Sequence, residues 1–286
     1  MDSKVPALES AAIVVAPASG SEQITPMLLT YNELPNIGRT LAALHWAKQI
    51  LVIDSGSSDG TLELLAADSR ITVVYRAFDS FAAQCNFGLT QVETEWVLSL
   101  DADYVLPPEF ALELAKLDLD KGPDGYRAAF RYRIFGRRLR GTLYPPRTVL
   151  YRVQRASYAM DGHGHRVRVS GPMGELHAKI DHDDRKSLAR WFSSQQKYAA
   201  QEAVHLLAQT ARQLGLVDRL RRMAWPAPIL AFFYTLFARG CILDGWPGWY
   251  YVLQRTFAEL MLALELLDRR LRAASERDGS DLGGVR

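Results

Sequence analysis

The first half of the chain alternates short apolar runs with helical stretches. Met27-Leu28-Leu29-Thr30, Gln49–Ile53, Ile71–Tyr75 and Trp96–Leu100 lack Gly and Pro and are rich in Leu, Ile and Val, and all but the third stop at polar clusters. That pattern predicts buried strands. Between the first two, Ile37, Leu41 and Leu44 recur at helical spacing, with Asn36 as a plausible N-cap. Leu62, Leu64, Leu65 and Ala66 mark a second helix, and Phe81 to Leu89 a third. Strand–helix alternation of this kind predicts an α/β domain: a mostly parallel, Rossmann-like sheet with helices on both faces.

The second half reads differently. Tyr126 to Phe135 and Arg147 to Val153 alternate aromatic, Arg and apolar residues, which predicts strands of a mixed, partly exposed sheet. Lys186 to about Ala211 reads as a helix. Met223 to Ala238 carries no charge and follows Arg219, Arg221 and Arg222. As a helix it would rise ~24 Å, short of the ~30 Å hydrocarbon core. An interfacial segment with basic flanks is the expectation, against the plainer reading of a buried helical pair. A turn at Asp244-Gly245-Trp246-Pro247-Gly248 leads into an amphipathic helix from Trp249 to about Leu271. The expected organisation is a disordered extension (1–22), an α/β domain (23–211), an amphipathic helical region (212–272) and a flexible tail (273–286).

Composition narrows the classes. The chain has 286 residues, 48% of them hydrophobic, enough for one large domain core. A formal net charge of +2 gives no case for nucleic-acid binding. Two distant cysteines, Cys85 and Cys241, do not make a disulfide framework, and a reducing cytoplasm is the expected compartment. Asp2 and Glu9 sit where a secretory leader would be basic or apolar.

The candidate chemistry lies where the predicted strands end. Thr30-Tyr31-Asn32-Glu33, Asp54 to Asp59, and Asp101-Ala102-Asp103 are three polar clusters at equivalent strand ends, where ligands bind in open α/β sheets. Asp101 and Asp103 are like charges held close, which a divalent cation with oxygen ligands would relieve; a pair of solvated turn aspartates is the plain alternative. Asp59 suits an N-cap or a ligand contact equally. His163, His165, His177 and His182 crowd a short stretch, without the spacing or paired cysteines of a structural zinc site.

Together these pieces resemble the family 2 glycosyltransferases of the GT-A fold. The matching residues are Thr30-Tyr31-Asn32-Glu33, Ile53-Asp54-Ser55-Gly56-Ser57-Ser58-Asp59-Gly60-Thr61, Asn86-Phe87-Gly88-Leu89 and Leu100-Asp101-Ala102-Asp103, in that order. The branch most similar includes lipopolysaccharide core β-glucosyltransferases, through His182, Lys197-Tyr198 and Asp244-Gly245. The resemblance implies an inverting, metal-dependent transfer from a nucleotide-diphosphate sugar, UDP favoured, to a cell-envelope glycan or lipid-linked acceptor. It implies a donor site of Thr30, Tyr31, Asn32, Glu33, Asp54, Ser55, Gln84, Asn86, Asp101, Ala102 and Asp103, with Asp54 on the base. It implies Mg²⁺ or Mn²⁺ held by Asp101, Asp103 and His182. The loop where related enzymes carry His-Glu reads His165-Arg166 here, so the base that takes the acceptor proton falls to Asp161 or Glu175. The implied location is the inner face of the cytoplasmic membrane, by peripheral attachment to its anionic surface. Two alternatives stay open: a nucleotidyltransferase, and a glycan-binding scaffold on an impaired transferase fold.

Overall fold

The computed structural model describes residues 21–161, 164–210 and 212–283, without the side chains of 21, 161, 164, 165 and 278–283. Four strands form its parallel half: Ile24–Thr30 (β1), Ile50–Asp54 (β2), Ile71–Tyr75 (β3) and Trp96–Asp101 (β4), in the order β3-β2-β1-β4. The crossovers are Leu34–Ala43 (α1), Thr61–Ala66 (α2) and Phe81–Gln91 (α3). Strand side chains alternate faces, and the core obeys that period. Ile24 and Leu28, Ile50 and Val52, and Trp96, Leu98 and Leu100 meet Ile37, Leu41 and Leu65 on one face. Met27, Leu51, Ile53 and Val97 meet Ala82, Cys85 and Leu89 on the other. Both faces are therefore covered, as expected for parallel strands.

The sheet continues beyond β4. Tyr104–Val105 (β5), Pro108–Leu114 (α4), Gly125–Ile134 (β6), Arg137–Arg138 (β7), Arg147–Arg152 (β8), Ala156–Asp161 (β9), Gly164–Val169 (β10) and Met173–His182 (β11) follow. The order runs β4-β8-β6-β11-β5, with β8 antiparallel to both neighbours and β6 parallel to β11. The β9–β10 hairpin stands apart and packs Tyr158 with α3. Leu188–Ala208 (α5), Leu216–Arg222 (α6), Pro226–Phe233 (α7) and Trp246–Gly283 (α8) complete the chain, α7 running on through a π-helical turn at Tyr234–Ala238. Leu236, Cys241, Tyr251 and Val252 pack on Ile134 and Leu139 of the β6–β8 region. Ala199, Ala203 and Leu206 of α5 close on Leu262 and Leu266 of α8. The C-terminal helices are thus docked by one face to the α/β domain.

Three local expectations change. Helix α1 starts at Leu34 with Glu33 as its cap residue; Asn36, expected to be the cap, lies inside the helix and is buried, its amide spent on Glu33 and Asp184. Gly60, at positive φ, caps α2, while Asp59 stands just outside and accepts from the backbone of both Thr61 and Leu34. The stretch expected as a flexible tail continues α8 to Gly283.

Gly88 marks the tightest helix–sheet approach in the α3 layer. A Cβ there would stand 2.5 Å from the Met27 sulfur and 3.2 Å from Ile53, and both side chains are fully buried. Gly88→Ala should therefore cost about 1–3 kcal/mol by overpacking. Urea unfolding of the two proteins checks this; equal midpoints would mean that the layer yields without strain.

Candidate functional site

The register levels the polar strand ends. Thr30 pairs with Asp54, Asp54 with Tyr75, and Leu29 with Asp101, so the carboxyl ends of all four parallel strands share one sheet edge. Asp54 organises the first half of that edge. Its Oδ1 accepts from the backbone N–H groups of Gly56 and Ser57, both at 2.8 Å, and its Oδ2 from the hydroxyls of Thr30 (2.7 Å) and Ser57 (2.6 Å). The residue is buried, and these donors take up both oxygens. Asp54 was expected on the base; in this structure its carboxylate braces the loop between β2 and α2.

The neighbouring motif residues are cross-braced. Asn32, at φ 55°, accepts from Ser58 N through its side chain, while its own N–H donates to Ser57 Oγ. Arg190 of α5 donates to the carbonyls of Tyr31 and Asn32 and lies over the half-exposed Tyr31 ring. Tyr31 is thereby presented to solvent at the sheet edge. Ser55 accepts from Gln84, whose amide also meets Arg76. The Asn86 amide is spent on the backbone of Tyr158, in both directions, and so ties α3 to the β9–β10 hairpin. Gln84 and Asn86 thus support the pocket from behind.

The second half of the edge is electrostatic. Ala102 is buried and its carbonyl accepts from Thr40. Asp103 lies in the link from β4 to β5, buried, with Oδ2 3.2 Å from His182 Nε2 and Oδ1 buried without a partner. Asp101 is half-buried and has no hydrogen bond or ion pair to a described residue. Burial pushes the Asp103 carboxyl up, but the imidazolium of His182, its hydrogen bond and Lys186 overrule that and hold it at about 2. Burial pulls His182 down, and the Asp103 charge and hydrogen bond raise it above its ordinary value. The imidazole is caged by Tyr104, Tyr132 and Tyr144, with ring centroids 5.4, 4.6 and 4.8 Å away. Its Nδ1 is buried and unpartnered. His182, expected as a metal ligand, directs its Nε2 at Asp103.

Among the described residues no three His, Cys, Asp or Glu side chains converge as a metal site. What remains is a two-carboxylate set, Asp101 and the orphaned Oδ1 of Asp103. That set fits Mg²⁺ or Mn²⁺, hard ions that keep waters and take phosphate oxygens alongside one or two carboxylates.

Glu33 is buried and paired with Lys186 Nζ at 2.8 Å, its carboxyl raised by burial against the pull of that lysine. Glu175 is exposed near the start of β11, opposite Arg127, seven positions before His182. Along the paired β6 strand that is five positions, Arg127 to Tyr132, or about 16 Å, so Glu175 sits at the far end of β11 from His182. Asp161 ends β9, opposite Gly164; its side chain, like His163 and the side chain of His165, lies outside the described residues. The β9 backbone climbs alongside β4: Val153, just before it, meets Glu95, and Tyr158 reaches Ser99. Three further residues bring the strand to Asp161, on the side where β4 ends.

Several residues join the site without a sequence signal. Arg147 opens β8, and the antiparallel ladder Trp96–Arg152, Val97–Tyr151, Leu98–Leu150, continued, sets it level with Asp101. Its guanidinium lies 4.8 Å over the Tyr144 ring. Lys186 stands between Glu33 and Asp184, beside a cleft lined by Tyr132, Phe135, Leu188, Trp191 and Tyr250. Only an antiparallel β8 and the return of the chain after β11 bring these cations to the aspartates.

The sequence profile described as Glycosyl transferase family 2 matches residues 27–170, half of the chain. The chain belongs to glycosyl transferase family 2. An uncharacterized glycosyltransferase of Rickettsia bellii is 28% identical to this chain over 109 residues, 38% of this chain and 37% of that one. The lipopolysaccharide core biosynthesis glycosyltransferase LpsC of Rhizobium meliloti is 30% identical over 84 residues, 28% of this chain and 31% of LpsC. The chain thus matches about a third of the length of these curated relatives. Among solved structures, S. aureus TarS 1-349 in complex with UDP-GlcNAc superposes with a TM-score of 0.45 at 16% identity, covering 87% of this chain and 91% of that one. Glucosyl-3-phosphoglycerate synthase from Mycobacterium tuberculosis, with Mn²⁺ and UDP, gives 0.32 at 22% identity over 38% and 44% of the two chains.

The four-donor cradle of Asp54 separates two roles for this residue. Asp54→Asn puts an amide N–H₂ against hydrogen-bond donors and should destabilise the ligand-free protein by about 1–3 kcal/mol. A thermal or urea melt without nucleotide checks it. Unchanged stability would return Asp54 to a role in ligand contact alone.

Proposed function

We propose that this protein is an inverting, metal-dependent glycosyltransferase that moves a sugar from a UDP-type donor to a cell-envelope glycan or lipid-linked acceptor. The observation that carries the reading is the buried, unpartnered Oδ1 of Asp103 beside the free Asp101, at the strand edge where an α/β sheet binds ligands. Family membership supports a nucleotide-sugar donor. Kinship with LpsC over 84 residues supports an envelope acceptor. A nucleotidyltransferase would want a Gly-rich basic loop after β1, and Thr30-Tyr31-Asn32-Glu33 is not one.

Asp101 and Asp103 would hold Mg²⁺ or Mn²⁺, which supplies neutralisation of the charge that develops on the diphosphate leaving group. His182 fixes the Asp103 carboxylate from one side and keeps it ionised. Tyr31 offers a half-exposed ring, and the Asn32 and Ser57 loops a backbone surface, for base and ribose. Arg147, level with Asp101, adds a cation for the departing phosphates. Asp161, at the end of β9, is the group we assign to take the acceptor hydroxyl proton as the new bond forms on the face opposite the leaving diphosphate. The acceptor would lie in the cleft beside Lys186. Exposed Phe135 and Leu188 at its mouth suit a lipid-bearing molecule, and peripheral attachment to the inner face of the cytoplasmic membrane would follow.

Two measurements test this. Asp103→Ala should fold yet lose most turnover and the Mn²⁺-dependent thermal shift given by UDP, since a bound nucleotide raises apparent stability by mass action. Wild-type rates at saturating donor would remove the metal assignment. Asp161→Asn should lower kcat by roughly 10²–10⁴ with donor affinity little changed. Normal turnover in that variant would place the base elsewhere.

A further inference from the structure

From Met223 to Leu267 the usual pattern of a water-facing helix is inverted. No exposed residue in this stretch is charged; all are apolar apart from Gly245 and Tyr234. Trp225, Phe233, Phe237, Trp246, Leu253 and Leu264 are each more than half exposed. The charged residues of the same stretch turn inward. Asp244 meets Arg140, Glu259 meets Arg221, Glu265 meets Arg269, and Arg239 donates to the Thr142 carbonyl. Arg255 has its Nε buried. An aromatic side chain carries ~150–250 Å², so the face amounts to on the order of 1,000 Å², against a few hundred for an ordinary monomer.

We propose that this α7–α8 face is a docking surface for an anionic lipid bilayer. It lies on the membrane and does not cross it, since no helix among the described residues is long and apolar enough to span one. The charge at its rim selects the occupant. There the β6–β7 turn brings Phe135, 59% exposed, against Trp246 and Tyr250. The Arg137 guanidinium stacks 5.8 Å from the Trp246 ring. Arg137 and Arg138 are exposed and have no carboxylate partner among the described residues. Tryptophan and arginine at the border of an apolar face match the headgroup level of a membrane with anionic lipids. A second copy docked by the same face would bring no exposed carboxylate to meet these arginines. Of the three arginines before α7, Arg221 is paired with Glu259 at 2.7 Å, and Arg219 and Arg222 donate to the carbonyls of Leu214 and Gln209, whereas Arg137 and Arg138 stand at the aromatic rim itself. Phe135 and Tyr250 also line the cleft beside Lys186, so that cleft would open at the lipid surface.

The choice of a membrane as partner rests on the reading of an envelope acceptor, and its test uses no transfer reaction. The full chain is floated with vesicles of phosphatidylglycerol and phosphatidylethanolamine, and with vesicles of phosphatidylcholine alone. The protein should float with the anionic vesicles and weakly or not at all with the neutral ones. At about fivefold per arginine, Arg137→Gln with Arg138→Gln should weaken low-salt binding by roughly 25-fold. Phe233→Glu with Leu253→Glu should abolish flotation while leaving the melting curve and the UDP thermal shift as in the wild type. If that pair does not fold, the arginine pair at the exposed turn decides alone. Wild-type protein that stays unbound to both vesicles overturns the inference. So does a dimer, by light scattering, that Phe233→Glu with Leu253→Glu dissociates, which would assign the face to a second copy. Loss of nucleotide binding in the wild type would instead overturn the transferase reading and leave the flotation result standing.

Discussion

The rest of the site depends on the parallel register of β1, β2 and β4. Backbone ladders in a sheet fix which residues stand level, and a slip of one residue would turn each side chain to the other face. Here the ladder sets Thr30 against Asp54 and Leu29 against Asp101. The same register keeps Leu28, Val52 and Leu98 in one core layer and Met27, Ile53 and Val97 in the other. Core packing and site geometry are therefore a single constraint: no alternative register satisfies the apolar layers and still delivers the polar ends to one edge.

Charge is handled differently at the two ends of the pocket. Around Asp54, neutral donors satisfy a buried carboxylate completely, which makes a stiff loop. Around Asp103, satisfaction is deliberately incomplete. One oxygen is fixed by His182 and the other is left bare in a buried setting. A buried polar atom without a partner is costly, and that cost is offset if a cation or a ligand completes the shell. Three tyrosine rings surround His182 and its Nδ1 is buried without a partner, so among the described residues Asp103 is the hydrogen-bond partner that holds the imidazole.

The C-terminal helices resolve a choice that looked exclusive. The apolar stretch after Arg222 was read either as a core pair or as an interfacial segment. One face of α8 packs Tyr251, Val252, Leu262 and Leu266 into the protein, while Leu253, Leu260 and Leu264 lie outside. A helix apolar on both sides needs two apolar neighbours, and the α/β domain supplies only one.

The sequence by itself determined the first four strands, the three helices between them and the polar strand ends, because apolar periodicity and local turn chemistry are written in consecutive residues. That these ends form a donor site was implied by the family resemblance, not by periodicity. The division of labour among their residues was not legible. Asp54 and Asn86 also bind within the protein, and their partners, Gly56 and Ser57 apart, are Thr30 and Tyr158, distant along the chain. Glu175 looked close to the site in sequence and is far from it in space, because an extended strand carries it away at ~3.3 Å per residue. Arg147 and Lys186 carried no signal at all: only the antiparallel turn of β8 and the return of the chain after β11 set them beside the aspartates. What depends on neighbours along the chain was fixed by the sequence; what depends on pairing between distant segments was decided by the tertiary structure, since long-range contacts are selected by packing the whole sheet.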